Sequence, residues 1–151
     1  RIPFKIDLNS DKREEQKDVS DGKSIKGLHI LLAEDNELNM EIAEFMLQNE
    51  GADVTKAWNG QEAVELFRNS EPGEFDVILM DIMMPVMDGY EAAKMIRFLD
   101  REDAKTIPII AMTANAFTED RIRAKEAGMD EHVAKPVDVE LLVRVIHKLV
   151  G

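Results

Sequence analysis

The chain has 151 residues, with 31 Asp and Glu against 19 Lys and Arg, a formal net charge of −12 and no cysteine. That length fits one domain plus a tail, and a hydrophobic fraction of 44% is enough to build a core. Disulfides and thiolate metal sites are excluded, the acidity argues against a nucleic-acid partner and against direct membrane contact, and no apolar run approaches the roughly 20 residues of a membrane span.

The first residues, Arg1-Ile2-Pro3-Phe4-Lys5, carry no secretory signal, and the chain reads as a piece of a longer protein. Residues 1–27 read as a linker, because Ser10 to Lys26 is dense in charge with little to bury. Gly22-Lys23-Ser24 lacks the upstream glycine and strand that a phosphate-binding loop needs, so it carries no site.

From Leu28 onward the pattern alternates. His29 to Ala33 is a short apolar run, read as a buried strand. Asn36 caps a helix whose apolar face is expected to be Leu38, Ile42, Phe45 and Met46, and Gly51 ends it. Asp53 to Ala57 is a second strand, and Gln61 to Arg68 a helix burying Ala63, Leu66 and Phe67. Phe75 to Met80 is a third strand; Pro85 and Asp88-Gly89 mark the loop after it. Tyr90 to Arg101 reads as one helix, with Ala92, Met95, Ile96 and Leu99 inward. Pro108 to Met112 is a fourth strand, Thr118 to Gly128 a fourth helix, and Glu131 to Ala134 a fifth strand. Asp138 caps a last helix with Leu141, Leu142, Val145, Ile146 and Leu149 as its buried stripe.

This is a (βα)5 pattern. Apolar strands without in/out alternation suit a parallel sheet covered on both faces, and right-handed crossovers reduce the topology to a doubly wound α/β fold. Ligands of such sheets bind beyond the carboxyl ends of the strands. Those ends carry Glu34-Asp35, Asp81, Thr113 and Lys135-Pro136. Crowded carboxylates repel, and a hard cation such as Mg²⁺ relieves them. A carboxylate can attack phosphorus, and Lys135 and Thr113 are suitable partners for the charge that arrives.

The segments Leu31-Leu32-Ala33-Glu34-Asp35-Asn36, Met80-Asp81-Ile82-Met83-Met84-Pro85-Val86-Met87-Asp88-Gly89, Ala111-Met112-Thr113-Ala114-Asn115-Ala116 and Ala134-Lys135-Pro136 resemble the signature segments of two-component receiver domains, above all the receivers of hybrid histidine kinases. The resemblance covers residues 28–151 and implies a flavodoxin-like, three-layer α/β/α fold with a five-stranded sheet in the order 2-1-3-4-5. It implies that Asp81 takes a phosphoryl group from phosphohistidine, and that Glu34, Asp35, Asp81 and the backbone carbonyl of Met83 hold Mg²⁺. Lys135 would pair with the phosphoryl group and Thr113 would turn toward it, changing a partner-binding face made by the fourth helix, fifth strand and last helix. The bond before Pro136 is usually cis in the family. His132 stands where an aromatic switch residue is common, and Met83 and Asn115 where the family tunes phosphoryl lifetime.

The implied partners are a histidine kinase core in cis, a histidine phosphotransfer protein, or a second copy of the domain. The implied setting is cytoplasmic, with the isolated domain a phosphoacceptor and its parent a hybrid histidine kinase. Arg1-Ile2-Pro3-Phe4 is similar to the last strand of a kinase ATPase domain. Two other readings fit an aspartate beside Mg²⁺. A dehalogenase-type phosphatase would need a second acid two residues after Asp81, where Met83 stands; an inert interaction module would bind no Mg²⁺.

Overall fold

The computed structural model describes residues 25–114 and 118–150. Most of the expected linker and Asn115 lie outside the described residues. Ile25 lies within them and is fully buried, so the packed chain reaches back at least to it, upstream of the boundary expected at Leu28.

Along the chain run β1 (His29–Ala33), α1 (Glu37–Asn49), β2 (Asp53–Ala57), α2 (Gly60–Arg68), β3 (Val77–Asp81), α3 (Gly89–Phe98), α4 (Glu102–Thr106), β4 (Ile109–Thr113), α5 (Thr118–Glu126), β5 (Glu131–Ala134) and α6 (Val139–Val150). The strands form one sheet in the order β2-β1-β3-β4-β5, and every neighbouring pair is parallel. The fold class is therefore the expected doubly wound α/β sheet.

Residues alternate between two cores. Leu31, Ile78, Met80, Ile109 and Ala111 face Phe67 of α2, Ile96 of α3 and Ala124 of α5. Ile30, Leu32, Val77, Leu79, Ile110 and Met112 face Met40 and Leu47 of α1 and Leu142 and Ile146 of α6. Both faces of the central strands are covered, which is why β3 and β4 are buried throughout.

Four helical expectations need correction. In α1 the buried residues are Met40, Ala43 and Leu47, whereas Leu38, Ile42 and Phe45 are 64%, 49% and 69% exposed. Both triplets satisfy helical spacing, and small Ala43 lets the backbone approach the sheet where bulkier Ile42 would not. In α2, Gly60 and Val64 are buried while Leu66 is only partly so. The expected single helix from Tyr90 to Arg101 stops at Phe98, because Leu99 turns extended (φ −63, ψ 145) and short α4 follows. Arg101 holds that break. Its guanidinium donates to the carbonyls of Phe67 and Ser70 and lies over the Phe67 ring. Met95, expected inward, is partly exposed. In α6 the buried stripe is Leu142, Val143 and Ile146, with Leu141 turned outward. Strands three and four are each displaced toward their carboxyl ends from the expected bounds, so Asp81 and Thr113 are the last residues of β3 and β4.

Candidate phosphoryl and metal site

Strand order reverses at β1, whose neighbours are β2 on one side and β3 on the other. The carboxyl ends of β1 and β3 therefore flank a crevice that no crossover fills. Glu34 follows β1 and is tied to β2 through its N–H, which donates to Ala57 O at 3.0 Å. Its carboxylate accepts from the Asn36 N–H at 3.1 Å. Asn36 in turn caps α1, accepting from Asn39 N at 2.9 Å. Asp35 lies between these anchored residues and is exposed. Asp81 ends β3 and is only 4% exposed.

One carboxylate oxygen each from Glu34, Asp35 and Asp81 lies within 4.8 Å of the others. Lys135 arrives from the other side of the sheet. Its N–H donates to Thr113 O at 2.8 Å, extending the β4–β5 ladder, and the Lys135–Pro136 peptide is cis. The Lys135 ammonium sits 2.8 Å from Glu34 Oε1 and 3.1 Å from Asp81 Oδ2.

The electrostatics follow from this crowding. Burial raises the Asp81 pKa first, and the charge of Glu34 and a carboxyl–carboxyl hydrogen bond with it raise it further. Lys135 opposes them by charge and hydrogen bond, and the result is a shift from 3.8 to about 6. Burial lowers the Lys135 pKa, but hydrogen bonds to Glu34 and Asp81 and their charges outweigh it and hold it above the usual lysine value. Three carboxylates against one ammonium leave net negative charge in a mostly buried place. Their hard oxygen donors fit a divalent cation such as Mg²⁺, which prefers a few carboxylates and keeps its remaining waters.

The loop after Asp81 is closed on itself. Ile82 N donates to Met112 O at 3.2 Å, and Gly89 N returns to Ile82 O at 2.9 Å. Gly89 is obligatory there, since a Cβ would stand 2.3 Å from Asp81 O. Met83 and Val86 project outward at 77% and 76% exposure, and Val86 adopts φ +69.

The expected residues are brought to one rim of the sheet, in two groups. Glu34, Asp35, Asp81 and Lys135 form the acidic cluster. Thr113, buried at the end of β4, lines an adjoining crevice with Ile82, Tyr90, Ala111, Asp120, Arg121, Ala124 and half-buried His132. Tyr90 was not anticipated as part of this crevice. Its ring lies under the Arg123 guanidinium, 4.3 Å from the ring centre. A second unforeseen feature is a groove of about 330 Å³ beside the cluster, lined by Glu34, Lys135, Ile42, Met46, Met112 and Val137 among others.

The family model of the response regulator receiver domain matches residues 30–147. The chain belongs to the response regulator receiver family. Among the described residues, no helix is long and apolar enough to cross a membrane. Histidine kinase 1 of Arabidopsis thaliana is 37% identical over 87% of this receiver chain and 13% of its own length. Hybrid signal transduction histidine kinase M of Dictyostelium discoideum is 44% identical over 80% of the chain and 5% of its own length. The receiver thus spans only a small part of the curated relatives it matches.

Among solved structures, the receiver domain of a sensor histidine kinase from Pseudomonas aeruginosa has a magnesium ion coordinated in its active site cleft. It is 40% identical, with a TM-score of 0.74 over 83% of this chain and 98% of that one. A chain from the co-crystal of the Saccharomyces cerevisiae phosphotransfer protein Ypd1 with the receiver domain of Ssk1 is 29% identical, with a TM-score of 0.72 over 83% and 90%. The phosphatase reading falls with this assignment, and Met83 offers no proton where such chemistry needs a second acid.

Proposed function

We propose that Asp81 of this receiver accepts a phosphoryl group from a phosphohistidine, with Mg²⁺ held by Glu34, Asp35, Asp81 and the Met83 backbone carbonyl. The observation that carries the reading is the convergence of one carboxylate oxygen each from Glu34, Asp35 and Asp81 within 4.8 Å of one another, with the Lys135 ammonium 3.1 Å from Asp81. Mg²⁺, when bound, supplies charge neutralisation for the transferring group. An Asp81 carboxylate oxygen forms the new O–P bond as the P–N bond of the donor breaks. The donor imidazole keeps the bonding pair and takes up a proton. Lys135 exchanges part of its contact with Glu34 for the incoming phosphoryl oxygens, whose added charge is about −1.5 to −2. Thr113 donates its hydroxyl to the same anion, and His132 follows within the shared crevice. A pre-existing equilibrium at α5, β5 and α6 then shifts.

The partner is a helical carrier of phosphohistidine, either a phosphotransfer protein or the kinase core in cis. Leu38, Ile42 and Phe45 support this reading, since they form an exposed stripe at helical spacing and the groove beside it ends at Glu34 and Lys135. The flanking Glu37, Glu41 and Glu44 favour a partner with a basic rim.

The test is incubation with acetyl phosphate and Mg²⁺, followed by intact mass. Wild type should gain one phosphoryl group and Asp81→Asn none. Equal labelling of both would place the acceptor elsewhere, and no labelling or Mg²⁺ binding at all would favour an inert interaction module.

A further inference from the structure

We infer that Gly60 is a positioning residue for the site: the first residue of α2 sets the loop after Asp81, and with it the Met83 carbonyl. The inference rests on the proposed role of that carbonyl as a Mg²⁺ ligand. Gly60 N donates to Met87 O at 3.0 Å, bridging α2 to the far end of residues 82–88, and Met87 N in turn donates to Pro85 O at 2.7 Å. A Cβ on Gly60 would meet Met87 O at 2.3 Å, Met87 C at 2.9 Å and Asp88 O at 3.0 Å, all backbone atoms with no flexible end to yield. Glycine, lacking a Cβ, permits this close approach of backbone to backbone.

Any larger residue forces one side of the contact to move, and the loop is the softer side. The first turn of α2 is fixed by Asn59, which accepts from Glu62 N at 2.8 Å, and by the Glu62 carboxylate, which accepts from Trp58 N at 2.9 Å. Buried Ala63, Val64 and Phe67 hold the rest of the helix. The loop is tied at its ends through Ile82 and Gly89 and pinned by Met84 in the core, but Met83 and Val86 on either side of Met84 lie largely in solvent. Displacing the Met87 carbonyl therefore moves the stretch that contains Met83, while Asp81 stays in its strand.

Mg²⁺ binding is measured by calorimetric titration with MgCl₂ alone, beside thermal melting in EDTA, on the whole chain. The variants are Gly60→Ala, Asn59→Ala and Arg97→Ala. Gly60→Ala should weaken Mg²⁺ on the order of tenfold, the scale seen when a group supporting a metal ligand is lost. Arg97 bonds Gly128 O and Ala104 O at the opposite rim of the sheet, so Arg97→Ala should melt earlier yet bind Mg²⁺ like wild type. Affinity of Gly60→Ala within twofold of wild type overturns the inference. If Gly60→Ala does not fold, Asn59→Ala loosens the same turn without adding an atom; weakened Mg²⁺ supports the inference and unchanged affinity overturns it. A wild type that takes no Mg²⁺ overturns the proposed function and this inference together, whereas equal binding by wild type and Gly60→Ala sinks the inference alone.

Discussion

The Lys135 ammonium lies 2.8 Å from the buried carboxylate of Glu34, closer than it lies to Asp81. The lysine therefore serves the metal-free protein as a resident counter-cation. Lys135→Met leaves Glu34 and Asp81 facing each other without it. In EDTA at neutral pH this variant should lose about 2 kcal/mol of unfolding free energy, below the figure for a sealed ion pair because Asp81 can take up a proton. Excess MgCl₂ should recover part of the loss by binding only the folded state. Urea denaturation with and without Mg²⁺ checks both, and a variant as stable as wild type in EDTA would contradict the counter-cation role.

The raised pKa of Asp81 sets a pH window. Between 3.8 and about 6 the folded chain keeps a proton on Asp81 that the unfolded chain releases. The folded state binds more protons there, so metal-free stability should fall as pH rises through the window and level off above it. The Asp81 contribution is on the order of 3 kcal/mol at most, read as the difference between wild type and Asp81→Asn across a series of urea midpoints in EDTA. The same proton competes with Mg²⁺, so affinity should drop as pH is lowered below about 6. A difference that is flat with pH would refute the shift.

Val86 holds φ +69, a region that β-branched residues avoid, and its side chain is 76% exposed. Val86→Asn should stabilise the chain by about 1 kcal/mol, since Asn tolerates the left-handed region and little packing is lost. Thermal unfolding reads the gain. A lower melting temperature would mean that Val86 makes contacts worth more than its strain.

The two stripes of α1 should separate in experiment. Phe45→Asp and Leu38→Asp should leave stability within about 0.5 kcal/mol, whereas Leu47→Ala should cost about 2–4 kcal/mol. Labelling by acetyl phosphate should survive Phe45→Asp, while transfer from a phosphorylated histidine carrier protein should fall. Equal loss with both donors would place Phe45 in the fold or the chemistry instead of the docking stripe.

The centre of the sheet is legible in the sequence because β1, β3 and β4 are covered on both faces. Runs such as Ile30-Leu31-Leu32-Ala33 and Val77-Ile78-Leu79-Met80 have no amphipathic alternative, and their ends point to Glu34, Asp35, Asp81, Thr113 and Lys135. The helices are less legible. Residues 37–49 hold two apolar triplets of equal periodicity, and only the sheet decides between them. The break after Phe98 has no glycine or proline to announce it, because Arg101 makes it by bonding carbonyls at the far end of α2. The Lys135–Glu34 contact has no local signal, since it joins the first strand to the last. Gly60 leaves none of its own either, since Asn59-Gly60 reads as an ordinary turn pair.

Because all five strands run the same way, Glu34, Asp35, Asp81, Thr113 and Lys135 gather at one rim, and among the described residues none of them lies at the opposite rim. The turn at residues 71–74, between α2 and β3, sits on that distant side. It is exposed, and attachment there belongs at Glu71, Pro72 or Glu74, because Gly73 holds φ +82, which favours glycine. Fluorophores, affinity tags or the ends of a circular permutant belong there, where grafting leaves the acidic cleft and the exposed stripe of α1 clear.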